Sequence, residues 1–278
     1  MQERHINKKK YFNEQVQPTE KYVIPFIEQI HPITPETSIL EIGCGEGGNL
    51  LPFLQRGCKI VGIDILQGKI DKANEYFLDH PKKDRANFMV QDIYDVDPDL
   101  NWKFDIIIMR DVIEHIHDQE KFMAYIKRFL KPSSNIFFGF PPWQMPFGGH
   151  QQTCKSTFLS KLPWFHLLPT VAYKKLLLLF GETQRNVDNL IEIKETGISL
   201  ERFRRILKKE EYSIDREVWY FINPNYEIKF GLKPKKSIPP FKSIPYLRNF
   251  FITAGYYLIS YPNATISSQD ANVPESYI

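Results

Sequence analysis

Ser38-Ile-Leu-Glu-Ile-Gly-Cys-Gly-Glu-Gly-Gly48 is the stretch that decides the fold. A short, nearly apolar strand signal runs straight into a cluster of glycines. On the far side, Asn49-Leu-Leu-Pro-Phe-Leu-Gln55 reads as a short helix that begins at the glycine turn. Glycine suits such a turn because a Cβ would collide with a ligand lying across it.

Outward from this loop the pattern repeats. Cys58 to Ile65 is a second buried strand, Asn87 to Asp92 a third, Phe104 to Met109 a fourth and Asn135 to Phe140 a fifth. Gln67 to Phe77 forms an amphipathic helix with Ile70, Ala73 and Phe77 inward, and a helix over roughly 118–130 precedes Lys131-Pro132. Strands apolar nearly throughout, alternating with helices, indicate a parallel sheet covered on both faces. Residues 36–142 therefore read as a doubly wound α/β core. Residues 1–35 are a helical segment with Tyr22, Ile24, Phe26, Ile27 and Ile30 on one stripe, kinked at Pro25. Residues 143–198 are a cap or substrate-recognition insertion. Within residues 199–236, Ser199 to Lys209 is a capped helix, and Tyr212 to Ile222 with Tyr226 to Leu232 would pair as the sheet's last two strands. Residues 237–278 are read as a helical extension and tail, disordered from about Ser267.

The loop admits two readings. Gly43-x-Gly45-x-x-Gly48, with Asp64 about 20 residues on, spells the dinucleotide fingerprint and would make the chain an NAD(P)-dependent oxidoreductase. Three residues favour another ligand. Glu41 ends an apolar strand, where an unpaired charge is expensive, and a cationic ligand would give it a partner. Glu46 sits at the helix N-terminus that a pyrophosphate would occupy. Asp92 ends the third strand; Asp64, shared by both readings, ends the second, where its two oxygens suit a pair of vicinal hydroxyls.

Glu41-x-Gly43-x-Gly45-x-Gly47 resembles motif I of class I S-adenosylmethionine-dependent methyltransferases. Gln91-Asp92-Ile93 resembles their adenine-binding turn, and Arg110-Asp111-Val112-Ile113-Glu114-His115 resembles the post-strand run of the quinone-biosynthesis O-methyltransferases. The resemblance covers about residues 36–142. It implies a mostly parallel seven-stranded sheet of the Rossmann-like methyltransferase type, with a helical cap and a C-terminal extension. It further implies S-adenosyl-L-methionine as cofactor and S-adenosyl-L-homocysteine as product, held by Glu41, Gly43, Cys44, Gly45, Gly47, Asp64, Ile65, Asp92, Ile93, Arg110, Asp111 and Val112. In that scheme Asp64 meets the ribose hydroxyls, Arg110 and Asp111 line the methionine end, and Val112 packs near the adenosine.

Methyl transfer to a hydroxyl needs a proton removed. His115, with His117 nearby, and His150 in Pro146-Phe-Gly-Gly-His-Gln-Gln152 both fall after strands, at the edge where an acceptor must sit. His115 could equally be structural, and Gln151 is a weaker candidate for orienting an acceptor oxygen. The acceptor is expected to be a small or lipid-like molecule. A formal net charge of +3 and the absence of the tetrapeptide expected of N6-adenine methyltransferases disfavour nucleic acid. Aromatic segments 158–180 and 244–260 fit a cap over the crevice, a dimer interface or a peripheral membrane contact. Oligomeric state stays open, as does the alternative of a cofactor-binding protein without chemistry. Three cysteines, Cys44, Cys58 and Cys154, lack CxxC spacing, so no disulfide framework and no metal are expected. With no apolar leader and no long apolar run, a cytoplasmic setting is the expectation.

Overall fold

The computed structural model describes residues 8–96 and 102–262. The expected tail from Ser267 lies outside the described residues. The chain is helical from Lys8 to Ile27: α1 (Lys8–Pro18), a wide π turn (Thr19–Val23) and α2 (Ile24–Ile27). The helical segment starts earlier than its apolar stripe suggested, and the irregularity is the π turn between Pro18 and Pro25.

The core then runs β1 (Ser38–Ile42), α3 (Leu51–Gln55), β2 (Lys59–Asp64), α4 (Gln67–Phe77), β3 (Ala86–Val90), β4 (Phe104–Arg110), α5 (Gln119–Ile126) and β5 (Leu130–Phe140). The helix before β5 stops at Ile126, four residues short of the expected end, and β5 includes Pro132. After β5 come α6 (Thr170–Leu179), α7 (Gln184–Thr196), α8 (Leu200–Lys209), β6 (Ser213–Ile222), α9 (Asn225–Phe230), β7 (Lys235–Lys236) and β8 (Ala254–Ser260).

The sheet has eight strands in the order β3-β2-β1-β4-β5-β8-β6-β7. The first five are parallel; β8 runs antiparallel to both β5 and β6. The eighth strand, beyond the seven expected, is the two-residue edge pairing of β7 with β6. Alternation along the strands sends Ile107 and Met109 to one core and Ile106 and Ile108 to the other, so the sheet is packed on both faces.

Two expectations need correcting. Tyr226 to Leu232 is no strand. Asn223 Oδ1 accepts the Asn225 N–H at 2.9 Å and Pro224 is right-handed at φ −49, which starts α9; Gly231 at φ 70 ends it. The described part of the expected C-terminal extension, residues 237–262, is also not the helical extension read from the sequence. Ala254–Ser260 enters the sheet as β8 between β5 and β6, and six of its seven residues are buried. Apolar on both faces, it carries no period that separates strand from helix.

The insertion packs around its own small cluster: Cys154, Leu159, Phe165, Tyr173, Leu177, Val187 and Leu190. It is tied to the core where Trp143 N–H bonds the Ile198 carbonyl at 2.8 Å. Among the described residues, no helix is long and apolar enough to cross a membrane.

Candidate functional site

Strand order reverses between β1 and β4, and crevices in such sheets open at the carboxyl ends of those strands. The glycine loop leaves β1 there. Gly43 and Cys44 both donate to the Ile63 carbonyl, at 2.8 and 3.0 Å, which fastens the loop to β2. Gly43, Gly45 and Gly47 have φ of 71, 56 and 80, values that L side chains rarely adopt. Their surroundings refine the reason given for glycine here. A Cβ on Gly43 would stand 2.7 Å from Val112 Cγ2, and one on Gly47 would stand 2.9 Å from the Phe88 ring. The chain itself excludes side chains at those two positions. Gly45 alone of the three faces open space, with Lys69 Nζ at 3.8 Å the nearest atom, so the chain itself leaves room there.

Cys44 is buried beneath the loop against Gly62, and burial pushes its thiol far above the usual range. It is a packing residue. Glu46 is buried as well, with Oε2 unpartnered.

Behind the loop lies a buried polar network. Glu41 is 1% exposed; Asn49 Nδ2 donates to its Oε1 at 2.6 Å, while Oε2 has no partner. Burial pushes the Glu41 carboxyl up to about 8, against the pull of Asn49 and Arg110. Arg110 Nη1 donates to Asn49 Oδ1 at 2.8 Å and to Thr19 Oγ1 at 2.9 Å, and Nη2 donates to Asn225 Oδ1. Arg110 thus braces the loop against the π turn and α9, one layer back from the crevice. Asn49, Thr19 and Asn225 escaped the sequence reading. Of these only Asn49 carried a signal, a polar residue one step past the last glycine.

Asp64 Oδ2 accepts the Gly45 N–H and Oδ1 accepts the Leu66 N–H, both at 2.9 Å. Each oxygen keeps a lone pair for a further donor. Ile65 beside it is 67% exposed. The ends of β2 and β3 are joined by Gln91 N–H on the Asp64 carbonyl at 3.1 Å, which brings the Asp92 turn alongside. Asp92 is exposed; Oδ1 caps the next turn through the Tyr94 N–H at 3.0 Å, and Ile93 is buried in the core. Asp111 sits at the end of β4 in a left-handed conformation, φ 55, and its N–H bonds the Gly139 carbonyl.

Beyond it the turn Ile113–His115 presents Glu114 and His115, and His150 arrives from the loop after β5. The two imidazoles meet edge to face, centroids 5.0 Å apart. Burial lowers both pKa values, that of His150 to about 3, with His115 and His166 adding to its depression. His117 instead turns outward to Glu192 Oε1 at 3.2 Å. Gln151 is fully buried and bonds the Pro146 carbonyl and His166, so it serves the insertion. Glu114 was quoted in the sequence run without a role, yet it is the third member of this group. One ligand atom from each of Glu114, His115 and His150 lies within 4.8 Å of the others, although no metal was expected here.

Comparison with known proteins agrees with this architecture. A family model described as a methyltransferase domain matches residues 12–151, half of the chain. A ubiquinone biosynthesis O-methyltransferase of Rickettsia bellii is 29% identical over 111 residues, 40% of this chain and 45% of the relative. The match therefore spans less than half the length of that relative. Among solved structures, a putative sarcosine dimethylglycine methyltransferase from Galdieria sulphuraria superposes with TM-score 0.57 at 16% identity, covering 87% of this chain and 85% of the other. A geranyl diphosphate methyltransferase in complex with S-adenosylmethionine superposes with TM-score 0.55 at 14% identity, covering 87% and 84%.

Proposed function

The chain belongs to the methyltransferase-domain family, and from that premise we propose that it transfers a methyl group from S-adenosyl-L-methionine to a hydroxyl of a small or lipid-like acceptor. The observation that carries the cofactor assignment is the orphaned Oε2 of Glu41, a buried carboxyl oxygen behind the glycine loop. A buried acceptor without a donor costs about 1–3 kcal/mol, and a ligand ammonium would relieve it. A pyrophosphate would instead meet Glu46 beside the same loop.

The residues fit the group. Glu41 takes the amino group, Gly45 gives the backbone room to approach, Asp64 keeps lone pairs for vicinal hydroxyls, and Asp92 with the Ile93 amide meets the base. The cofactor supplies, when bound, a sulfonium methyl whose departure leaves a neutral thioether. The chain's own task is to align the acceptor, exclude water and take charge of its proton. His115 and His150 stand at the acceptor side of this crevice, beneath the insertion. Their depressed pKa values keep them unprotonated near neutrality, so their nitrogens can accept from a hydroxyl. The same depression makes His150 a poor base.

Oxygen as the accepting atom is favoured by the relatives' printed activity, O-methylation in ubiquinone biosynthesis. A lipid-like acceptor is favoured by the apolar rim of the insertion: Phe158, Val171, Leu178, Leu179 and Phe180 are all exposed, with Leu179 at 81%.

Calorimetry with S-adenosylhomocysteine tests the proposal. Saturable binding is expected, weakened by Asp64→Ala. Absence of heat in the folded protein, or binding indifferent to that change, would overturn it.

A further inference from the structure

Arg110 and Glu41 are buried groups of opposite charge in one network, 7% and 1% exposed, yet among the described residues no hydrogen bond or ion pair joins them. Arg110 spends its bonds on Thr19, Asn49 and Asn225, all of them uncharged. A guanidinium and a carboxylate buried close together ordinarily pair fork to fork, because each offsets the other's desolvation. Here Asn49 stands between them.

The Asn49 amide has one arrangement open to it. Arginine only donates, so the atom 2.8 Å from Arg110 Nη1 is the amide oxygen. The amide nitrogen is thereby turned to Glu41 Oε1, at 2.6 Å. Thr19 Oγ1 lies 3.1 Å from the same amide oxygen and accepts from Nη1 at 2.9 Å, which closes a triangle around it. A flipped amide would set its own donors against the guanidinium. The backbone leading to Asn49 is pinned as well: a Cβ on Gly48 would stand 2.7 Å from both the Phe12 carbonyl and Gln15 Oε1 of α1. Glu41 is thus held from behind by one oxygen, and the other is left without a partner.

We propose that Asn49 is a positioning residue: it keeps Arg110 off Glu41, so that one carboxylate oxygen stays vacant and the site selects ligands that carry a primary ammonium. The role rests on the reading of Glu41 as the seat of the cofactor's amino group, and deepens it. A direct Arg110–Glu41 pair would occupy both oxygens and leave an ammonium nothing to bond. With the amide interposed, Arg110 favours the carboxylate through space without consuming it. Burial is the largest influence on the Glu41 carboxyl and raises it; the Asn49 hydrogen bond and then Arg110 on β4 pull it down, and Asp64 on β2 adds a push upward. The neighbouring Cys44 thiol, itself pushed far up by burial, stays uncharged. A ligand without the amine leaves Glu41 Oε2 unpaired, and a site discriminates most strongly through the polar groups that a wrong ligand leaves unpaired.

The test is calorimetry of the parent protein and Asn49→Asp with S-adenosylhomocysteine and with 5′-methylthioadenosine, which lacks the amino-acid end, at pH 7 and pH 8.5. The parent is expected to prefer S-adenosylhomocysteine by about tenfold or more at pH 8.5, the weight of one hydrogen bond to a charged group. In Asn49→Asp the new carboxylate takes Arg110 as its partner, withdraws the donor from Glu41 and sets a like charge beside it, so Glu41 keeps its proton. The preference is expected to fall by about tenfold, and affinity for S-adenosylhomocysteine no longer climbs between the two pH values. Binding of 5′-methylthioadenosine is expected to stay as in the parent. If Asn49→Asp fails to melt cooperatively, Asn49→Ala replaces it; there Arg110 is free to fold onto Glu41, and the same preference is lost. An unaltered preference, or an equal loss of both ligands at both pH values, overturns the positioning role and leaves the cofactor reading standing. A parent protein that binds neither ligand, or both equally, sinks the reading of Glu41 itself.

Discussion

Replacing Glu41 by glutamine separates binding from stability, because the two should move in opposite directions. In the ligand-free protein burial lifts the Glu41 carboxyl from 4.5 to about 8. The folded state then holds this proton while the unfolded chain releases it. Stability contributed by the group is therefore lost as pH rises from 4.5 through 8. Over that window the shift corresponds to roughly 5 kcal/mol at 1.36 kcal/mol per unit. Glu41→Gln removes the ionisation, keeps an oxygen for Asn49 Nδ2, and buries one unpaired amide donor at about 1–3 kcal/mol. The net gain at pH 8.5 is roughly 2–4 kcal/mol, a rise in Tm of roughly 4–15 °C for a chain of this size. Binding should do the reverse. An ammonium ligand needs the carboxylate, of which roughly 10% is present at pH 7 and roughly 75% at pH 8.5. The apparent affinity for S-adenosylhomocysteine should climb about eightfold across that range. Calorimetry in two buffers of different ionisation enthalpy should also register close to one proton released per ligand at pH 7. In Glu41→Gln the pH dependence should vanish along with most of the affinity. Affinity flat from pH 7 to 8.5 in the parent protein, or an unweakened glutamine variant, would refute the pairing of Glu41 with a ligand amine.

Other consequences are simpler to check. Gly47→Ala should lower Tm by several degrees, since its Cβ meets Phe88 at φ 80, whereas Gly45→Ala should lower Tm less and impair S-adenosylhomocysteine binding more. Thermal melts and calorimetry on the pair separate the two. Arg110→Met should destabilise the fold by about 3–5 kcal/mol, because Asn49, Thr19 and Asn225 lose their shared donor; denaturant unfolding measures it. His115→Ala and His150→Ala should each reduce turnover at least tenfold while S-adenosylhomocysteine binds as before, and a fully active double variant would remove both from the acceptor site. Leu179→Ser with Phe180→Ser should reduce co-sedimentation with anionic vesicles if the insertion meets lipid, and equal pelleting of parent and variant would exclude that contact.

The core was legible in the sequence because its signals are local and redundant. β1 through β4 are short apolar runs ended by glycine, aspartate or arginine, and nothing else that brief buries both faces. The glycine loop and Asp64 could be placed from spacing alone. What spacing could not supply was the reason for each glycine: Gly43 answers to Val112, 69 residues away, and Gly47 to Phe88. Arg110 was located correctly at the end of β4 but its direction was not, because Thr19 and Asn225 approach it from opposite ends of the chain. β8 was lost for a related reason. Its partners β5 and β6 are distant in sequence, and a stretch apolar on every side looks the same as helix or strand until the neighbours are known. Glu114 sat within a quoted motif, but a carboxylate acquires meaning only from what fails to bond it.

The place of β8 in the sheet bears on how the protein is made. When β5 and β6 have left the ribosome, the strand that belongs between them is still unsynthesised, and each shows a raw edge toward the gap. The nascent chain must hold that slot open, or covered, until Ala254–Ser260 arrives to zip antiparallel into both sides. Closure of the sheet is a late, long-range event, and it joins the parallel half to β6 and β7 in a single stroke.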